Sequence, residues 1–241
     1  MIEIFANAQE LARGAAEYLV ARSGEAVAQK GFFTVALSGG STPKALFQLL
    51  ADPDEPFHTQ VPWTRAHFFW SDERHVPPDH PDSNYRMAHE AMLSRVPVPE
   101  SNVHRVHSEN PDANAAAAEY EQTILQLTKQ TLPQLDLILL GLGPDGHTAS
   151  IFPGSEVLHE TKRLVAAPWV EKFNAYRITM TLPLLNNGAA VLFLVSAAEK
   201  AEIVKQVIEG PKLFPAQHVE PTHGQVIWML DKDAAKNLNH G

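Results

Sequence analysis

Residues 135–154 read LDLILLGLGPDGHTASIFPG, an apolar run that ends in glycines, a carboxylate and an imidazole. The run from Leu137 to Leu140 is branched and apolar throughout, which is typical of a strand buried on both faces of a parallel sheet. Ligands of open α/β sheets bind just beyond the carboxyl ends of such strands. We therefore expect Asp145 and His147 to lie at the mouth of a functional site.

The same stretch contains G-x-G-x-x-G at residues 141–146, the spacing of a dinucleotide-binding turn. That site also needs an uninterrupted helix after the third glycine and an acidic residue about 20 positions further on. Here Pro153 and Gly154 end any helix early, and the next strand-like run, residues 164–167, has no carboxylate. The surrounding sequence therefore argues against a dinucleotide-binding site at residues 141–146.

Composition limits the remaining possibilities. The chain has 241 residues, 44% of them apolar, which suffices for a large core, and we expect one domain over residues 1–241. No apolar run reaches the roughly 20 residues of a membrane span, and no signal peptide is recognisable, so we expect a cytoplasmic protein. The lack of cysteine excludes disulfides, thiolate metal sites and a cysteine nucleophile. The formal charge of −9 argues against nucleic acid or an anionic membrane as partner.

Strand-like and helix-like segments alternate along the chain. The predicted strands are residues 32–37, 67–70, 103–106, 135–140, a segment near 164, 177–181, 190–195 and 226–230. The predicted helices are residues 7–29, 43–51, 83–94, 111–131 and 197–208. This alternation favours an α/β fold with a mostly parallel, doubly wound, Rossmann-like sheet and helices on both faces, that is, three α/β/α layers.

A second motif, SGGSTP at residues 38–43, lies between the first of these strands and the helix after it. Its glycines let the backbone approach a ligand, and its hydroxyls and helix-start amides point donors outward, which suits a phosphate. An ordinary strand-to-helix turn with a hydroxyl cap would have the same sequence. The residues of this predicted phosphate cradle are Ser38, Gly39, Gly40, Ser41 and Thr42.

A third motif, SDERH at residues 71–75, follows the second predicted strand, and DHPDSN comes soon after at residues 79–84. Asp72 and Arg74 alternate at a strand end, so both side chains can face the same crevice as the cradle. A solvated loop with a helix cap is the alternative interpretation. The histidines lack the spacing of a zinc site, and we expect no metal ion.

The three motifs together resemble the bacterial 6-phosphogluconolactonases, which belong to the same superfamily as glucosamine-6-phosphate isomerase/deaminase. The resemblance covers residues 32–200 and is carried by SGGSTP, SDERHVPP with DHPDSNY, and GLGPDGHTASIFPG. It implies a sugar-phosphate substrate, 6-phospho-D-glucono-1,5-lactone, and its hydrolysis to 6-phosphogluconate in the oxidative pentose phosphate pathway. It also implies that no cofactor is needed. The sequence leaves the oligomeric state open, and we expect a monomer or a small homo-oligomer.

The resemblance gives two further cations a role. Arg177 matches the arginine that joins the phosphate cradle in this superfamily, and Lys200 matches the lysine that completes it. The lactonases usually have lysine followed by proline in the segment at Lys172, and here Phe173 stands in place of the proline. For that reason Lys172 is left out of the predicted site.

The resemblance also separates two activities. In the isomerase/deaminases a carboxylate precedes the proline of the third motif and assists ring opening, whereas this chain has Phe152, which cannot relay a proton. We expect His147 to activate water, Asp145 to orient the His147 ring or to bind sugar hydroxyls, and Arg74 to offset the developing negative charge. Deamination, and a non-catalytic module that binds sugar phosphate, are the alternatives.

Overall fold

The computed structural model describes residues 1–239, which contain ten strands and eight α-helices. The strands are β1 (Ile2–Phe5), β2 (Phe33–Leu37), β3 (Ala66–Trp70), β4 (Asp72–Arg74), β5 (Leu137–Leu140), β6 (Val165–Ala166), β7 (Trp169–Val170), β8 (Ala175–Met180), β9 (Ala190–Val195) and β10 (Gln225–Asp231). The helices are α1 (Ala8–Lys30), α2 (Ser41–Leu50), α3 (Phe57–Gln60), α4 (Asn84–Ala91), α5 (Ala113–Thr128), α6 (Leu182–Leu185), α7 (Ala201–Glu209) and α8 (Lys232–Ala235). Across residues 1–239, every helix is too short or too polar to cross a membrane.

Six strands form the central sheet in the order β1-β10-β9-β5-β2-β3, and every neighbouring pair is parallel. From β2 the chain proceeds to β3 on one side of the sheet, whereas β5, β9 and β10 follow one another on the other side. The direction of winding therefore reverses between β2 and β5. A crevice opens at the carboxyl ends of the strands at such a reversal, and ligands bind there.

Alternate residues of β5 pack on opposite faces of this sheet. Leu137 and Leu139 join the core beneath α1, α2 and α4, while Ile138 and Leu140 join the core beneath α5, α7 and α8. A strand covered on both faces has no solvent side, which explains its uniformly apolar sequence. The predicted three-layer α/β/α fold with a parallel sheet is confirmed.

The long helices begin where their capping residues predict. Asn7 accepts hydrogen bonds from the amides of Gln9 and Glu10 at the start of α1, and Asp112 caps α5 in the same way. Helix α2 begins at Ser41, two residues before the predicted start at Pro43. The reason is Gly40, whose φ of +108° lets the backbone enter the helix at once.

The sequence did not predict the second sheet. Strands β4, β6 and β7 each pair antiparallel with β8, and together they cover the crevice side of the fold. The predicted strand at residues 103–106 is wrong, because only Val103 forms an isolated bridge, to Phe68, before the chain turns away. The helices predicted at 83–94 and 197–208 each include a separate 3-10 turn, Leu93–Arg95 and Ala198–Lys200.

Candidate active site

A cavity of about 470 Å³ opens at the carboxyl ends of β2 and β5, where the winding reverses. Eight residues of the predicted site line it: Ser38, Gly39, Gly40, Asp72, Arg74, His147, Arg177 and Lys200. The structure thus brings together side chains from all three sequence motifs and from the two later segments. Ser41, Thr42 and Asp145 do not line the cavity.

The loop after β2 brings its backbone close to the cavity wall. A Cβ atom at Gly39 would lie 2.0 Å from Oδ1 of Asn84, so no larger residue fits without displacing that side chain. Ser38 is buried, and its hydroxyl has no hydrogen-bond partner within residues 1–239. A buried hydroxyl that lines a cavity and lacks a partner is available to a ligand.

Gly40, which lines the cavity, is the residue directly before α2. The first amides of a helix have no acceptor within the helix, and the helix dipole gives this end a partial positive charge. The hydroxyl of Thr42 lies 2.9 Å from that of Ser196, so its side chain is engaged elsewhere. Ser41 is exposed at the surface. Of the five residues of the predicted cradle, Ser38, Gly39 and Gly40 line the cavity, and the hydroxyls of Ser41 and Thr42 do not.

Asp145 and His147 form a pair at the end of β5. A carboxylate oxygen of Asp145 is hydrogen-bonded to Nδ1 of His147, and it also accepts the His147 amide at 3.3 Å. Burial disfavours the charged carboxylate, but the hydrogen bond and the charge of His147 outweigh it and lower the pKa of Asp145. Because the carboxylate holds Nδ1, the unprotonated nitrogen of a neutral ring is Nε2.

The backbone around His147 fixes the ring. A Cβ atom at Gly143 would lie 2.0 Å from Nδ1 of His147, so the ring packs directly on the glycine backbone. Gly146, with a φ of +73°, closes the turn, and the Gly143 amide donates to the His147 carbonyl at 2.8 Å. The hydroxyl of Thr148 donates to the carbonyl of Gly141 at 2.9 Å. These contacts explain why the loop after β5 is rich in glycine.

Arg74 and Arg177 lie directly opposite each other on β4 and β8. Like charges in opposed positions of an antiparallel pair are unfavourable unless an anion lies near them. Burial, and then the charge of Arg74, lower the pKa of Arg177. The side chain of Arg177 makes one weak hydrogen bond, from Nη1 to the neighbouring Tyr176 carbonyl at 3.3 Å, and no ion pair within residues 1–239. Both features favour a negatively charged ligand in the cavity.

Two other predicted residues are held by neighbouring loops. Asp72 accepts a hydrogen bond from the Ser150 hydroxyl at 2.6 Å, which joins the second motif to the third. Lys200 donates from Nζ to the carbonyl of Leu142 at 2.8 Å, and its ammonium has two further protons to offer. The side chains of both residues are thus fixed at the cavity wall.

Glu73 is a supporting residue that sequence reasoning missed. It is only 1% exposed, and its carboxylate accepts from the amides of Arg74, Asn84 and Tyr85 and from the hydroxyl of Ser83. Burial raises the pKa of this carboxyl, while the amide hydrogen bonds oppose that shift. The period of two along β4 could have revealed it, because Glu73 must point away from the side chains on either side.

Two aromatic side chains outside the predicted binding set, Phe152 and Phe173, line the cavity, and Lys172 lies beside Asp145. The ring of Phe152 stacks on His147 with centroids 4.2 Å apart, and Phe173 lies 6.0 Å from Phe152 in an edge-on arrangement. Lys172, which the sequence analysis left out, has its Nζ 3.8 Å from the second oxygen of Asp145. The turn at residues 171–173 therefore contacts both the histidine end and the arginine end of the cavity.

Known proteins are similar to this chain over nearly its whole length. The family described as glucosamine-6-phosphate isomerases/6-phosphogluconolactonase matches residues 6–228. The 6-phosphogluconolactonase of Synechocystis sp. is 40% identical over 243 residues, covering 98% of each chain. That of Nostoc sp. is 37% identical over 244 residues, covering 99% of this chain and 98% of its own.

A solved structure agrees with these sequence matches. That of 6-phosphogluconolactonase from Trypanosoma cruzi aligns with a TM-score of 0.88 at 31% identity, covering 99% of this chain and 97% of that one. The match includes the central sheet, the second sheet and the loops between them, since nearly all of both chains is aligned. The chain therefore belongs to the family of glucosamine-6-phosphate isomerases and 6-phosphogluconolactonases.

Proposed function

We propose that this protein hydrolyses 6-phosphogluconolactone to 6-phosphogluconate, the reaction for which its relatives are named. The observation that carries the proposal is the pairing of an Asp145–His147 couple with an anion-binding wall in one cavity. One end of the cavity can accept a proton and the other can hold a phosphate. A phosphorylated lactone needs both.

The phosphate is held at the arginine end. Arg177 and Lys200 supply positive charge, while the Ser38 hydroxyl and the amides at the start of α2 supply further donors. Charge-assisted hydrogen bonds of this kind are short and about twice as strong as neutral ones. Because the phosphate takes no part in the chemistry, these contacts serve mainly to bind and orient the lactone.

His147 acts as the general base. Its Nε2 takes a proton from water as the water oxygen bonds to the lactone carbonyl carbon, and the imidazolium returns this proton to the ring oxygen as the ring C–O bond breaks. Asp145 holds the imidazole in the required tautomer and stabilises the imidazolium that forms. Arg74 offsets the negative charge that develops on the carbonyl oxygen and then on the product carboxylate.

The ring of Phe152 favours hydrolysis over deamination. It stacks against His147 at the position where the isomerase/deaminases have a carboxylate, so no acidic side chain can share a proton with the imidazole from that side. Lactone hydrolysis requires only an activated water, and it is unaffected by this change.

A coupled assay tests the proposal directly. Lactone disappearance is followed through 6-phosphogluconate formation, corrected for spontaneous hydrolysis, beside ammonia release from glucosamine 6-phosphate. We expect enzymatic lactone hydrolysis and no ammonia. Ammonia release would indicate a deaminase, and binding of 6-phosphogluconate without turnover of either substrate would indicate a sugar-phosphate-binding module.

A further inference from the structure

Phe173 is an exposed aromatic residue at a polar site. Its side chain is 46% exposed, although most large apolar side chains of the chain are buried, and it lines the cavity. It ends the 3-10 turn Glu171–Phe173, and Asn174 follows in the left-handed region with a φ of +47°. The sharp turn at Asn174 directs the chain from Phe173 straight into β8, which carries Arg177.

The ring of Phe173 lies against the guanidinium of Arg177. The guanidinium carbon is 4.9 Å from the ring centroid, within the range of an attractive cation–π contact. Because the ring has no oxygen acceptor, this contact leaves the N–H groups of the guanidinium able to bind an anion. A carboxylate partner would instead occupy those N–H groups and compete with a bound phosphate.

A partner of this kind is needed because Arg177 has little else to hold it. Among residues 1–239, its only side-chain hydrogen bond is the long one to the Tyr176 carbonyl, and the opposed Arg74 repels it. An arginine side chain has several rotatable bonds, so without a fixed contact it would sample many orientations. The aromatic ring restricts these orientations without neutralising the charge.

Phe173 also connects the arginine to the histidine end of the cavity. Its ring contacts Phe152, whose ring stacks on His147, so that three rings and a guanidinium form a continuous row. The row forms one wall of the cavity. A lactone whose phosphate is held by Arg177 would lie along this wall with its carbonyl near His147.

We infer that Phe173 is a positioning residue, whose ring face holds the Arg177 guanidinium with its N–H groups directed at the phosphate of the substrate. The inference rests on the proposed function, because it assigns the phosphate to Arg177. If Phe173 has this role, tight binding of the phosphorylated lactone requires an aromatic ring at residue 173. The proton transfer at His147 does not require one.

The test compares four variants by steady-state kinetics on 6-phosphogluconolactone and on unphosphorylated gluconolactone. Phe173→Ala removes the ring, Phe173→Leu keeps an apolar side chain without a π face, and Phe173→Tyr restores the ring. Trp169→Ala is the matched control, because Trp169 is a similarly exposed aromatic (48%) on the same hairpin that does not line the cavity. A change of thermal midpoint would reveal loss of folding.

We expect Phe173→Ala and Phe173→Leu to raise KM for the phosphorylated lactone by about three- to thirtyfold, the range of a cation–π contact, with kcat within about threefold of wild type. Phe173→Tyr and Trp169→Ala should stay within twofold of wild type, and KM for gluconolactone should not change. An unchanged KM in Phe173→Ala, full function in Phe173→Leu, or an equal loss in Trp169→Ala would overturn the inference.

Calorimetric titration with 6-phosphogluconate separates this inference from the proposed function. A wild-type protein that binds 6-phosphogluconate but does not hydrolyse the lactone would contradict the function alone, and weaker binding by Phe173→Ala would still support the inference. A wild-type protein that hydrolyses the lactone, with equal affinity for 6-phosphogluconate in wild type and Phe173→Ala, would contradict the inference alone.

Discussion

The hydrogen bond between Asp145 and Nδ1 of His147 determines which ring nitrogen can act as a base. With Nδ1 held by the carboxylate, Nε2 is the free nitrogen and His147 itself lines the cavity. The Gly143 backbone prevents the ring from turning away, since the ring lies against it. The reactivity of this one side chain therefore depends on two neighbours that take no direct part in the reaction.

Replacement of His147 by alanine removes the base and leaves the phosphate contacts in place. We expect kcat to fall by about 10²- to 10⁴-fold with little change in KM, as is usual for a general base. Steady-state assays corrected for spontaneous hydrolysis measure this. His159→Ala, at an exposed position outside the cavity, is the control. Turnover within a few fold of wild type in His147→Ala would rule out the proposed role.

Replacement of Arg177 by alanine tests the other end of the cavity. Loss of a charge-assisted contact to phosphate should raise KM by about 10- to 100-fold, or ~1.5–3 kcal/mol, with a smaller effect on kcat. Hydrolysis of gluconolactone, which has no phosphate, should be almost indifferent to the change. Arg163→Ala, an exposed arginine paired with Glu160, is the matched control. Equal damage to both substrates would mean that Arg177 has a structural role.

At the scale of elements, the carboxylate of Glu73 joins β4 to α4. Glu73 accepts the first two amides of α4 and the hydroxyl of its capping residue, Ser83, and also the amide of Arg74. The side chains on either side of it on β4, Asp72 and Arg74, line the cavity. The buried carboxylate therefore sets the position of the strand that carries them.

Glu73→Gln should destabilise this junction. The side-chain oxygen of glutamine can accept only some of the four hydrogen bonds that Glu73 accepts, and the new NH2 group would face N–H and O–H donors. We therefore expect the free energy of unfolding to fall by about 2–4 kcal/mol. Chemical denaturation at neutral pH measures it. Glu90→Gln, in the same helix but exposed and paired with Arg86, is the control and should lower the free energy of unfolding far less than Glu73→Gln. Equal stability of the two variants would show that Glu73 is not a structural anchor.

The elements that sequence predicted best are those with strong local signals. The apolar run of β5 and the capping residue Asn7 of α1 each determine their element without help from the rest of the chain. Strand β6 was predicted near residue 164, but β4 and β7 were missed because two or three residues carry no recognisable period, and both pair with β8. The cross-strand pairing of Arg74 with Arg177 was hidden for the same reason.

For the whole molecule, a pair of stacked histidines links stability to pH. Nδ1 of His67 lies 3.0 Å from Nε2 of His104, which requires one of these nitrogens to be unprotonated. Burial lowers the pKa of His104 to about 4, with a further contribution from His67, and burial and the charge of Lys30 lower that of His67. The folded state therefore binds protons less readily than the unfolded chain. The stabilisation of the fold by the neutral pair is complete above about pH 6.5 and is lost as pH falls toward 4.

The free energy of unfolding should therefore fall by about 1–2 kcal/mol more between pH 6.5 and 4.5 in wild type than in His104→Phe, allowing for the partial exposure of the pair. Phenylalanine keeps a ring against Phe69, which stacks on His104 at 4.7 Å, but it cannot titrate. Denaturant unfolding across this pH range measures the difference. Parallel pH curves for the two proteins would show that the pair does not control acid stability.

The sequence predicted the layers of the whole molecule and the place of the site, and the motif resemblance predicted the family. It could not predict how the ligand end is assembled, since Thr42 bonds to the distant Ser196 and Phe173 meets Arg177 only across a turn. Such contacts depend on the folded arrangement rather than on any local pattern. The roles assigned to the site residues, and the single domain over residues 1–241, stay predictions.

The strand order has a consequence for how the chain is made. Strand β10 lies between β9 and β1, and Ile2 pairs with Trp228, so β1 has no partner in the sheet until residues 225–231 have been synthesised. Until then β9 is an unpaired edge strand of an incomplete sheet, and it can form hydrogen bonds with strands of other chains. Strands β2, β3 and β5 can associate earlier, so a nascent chain stalled before Gln225 should be compact around the cavity yet dependent on chaperones at its unfinished edge.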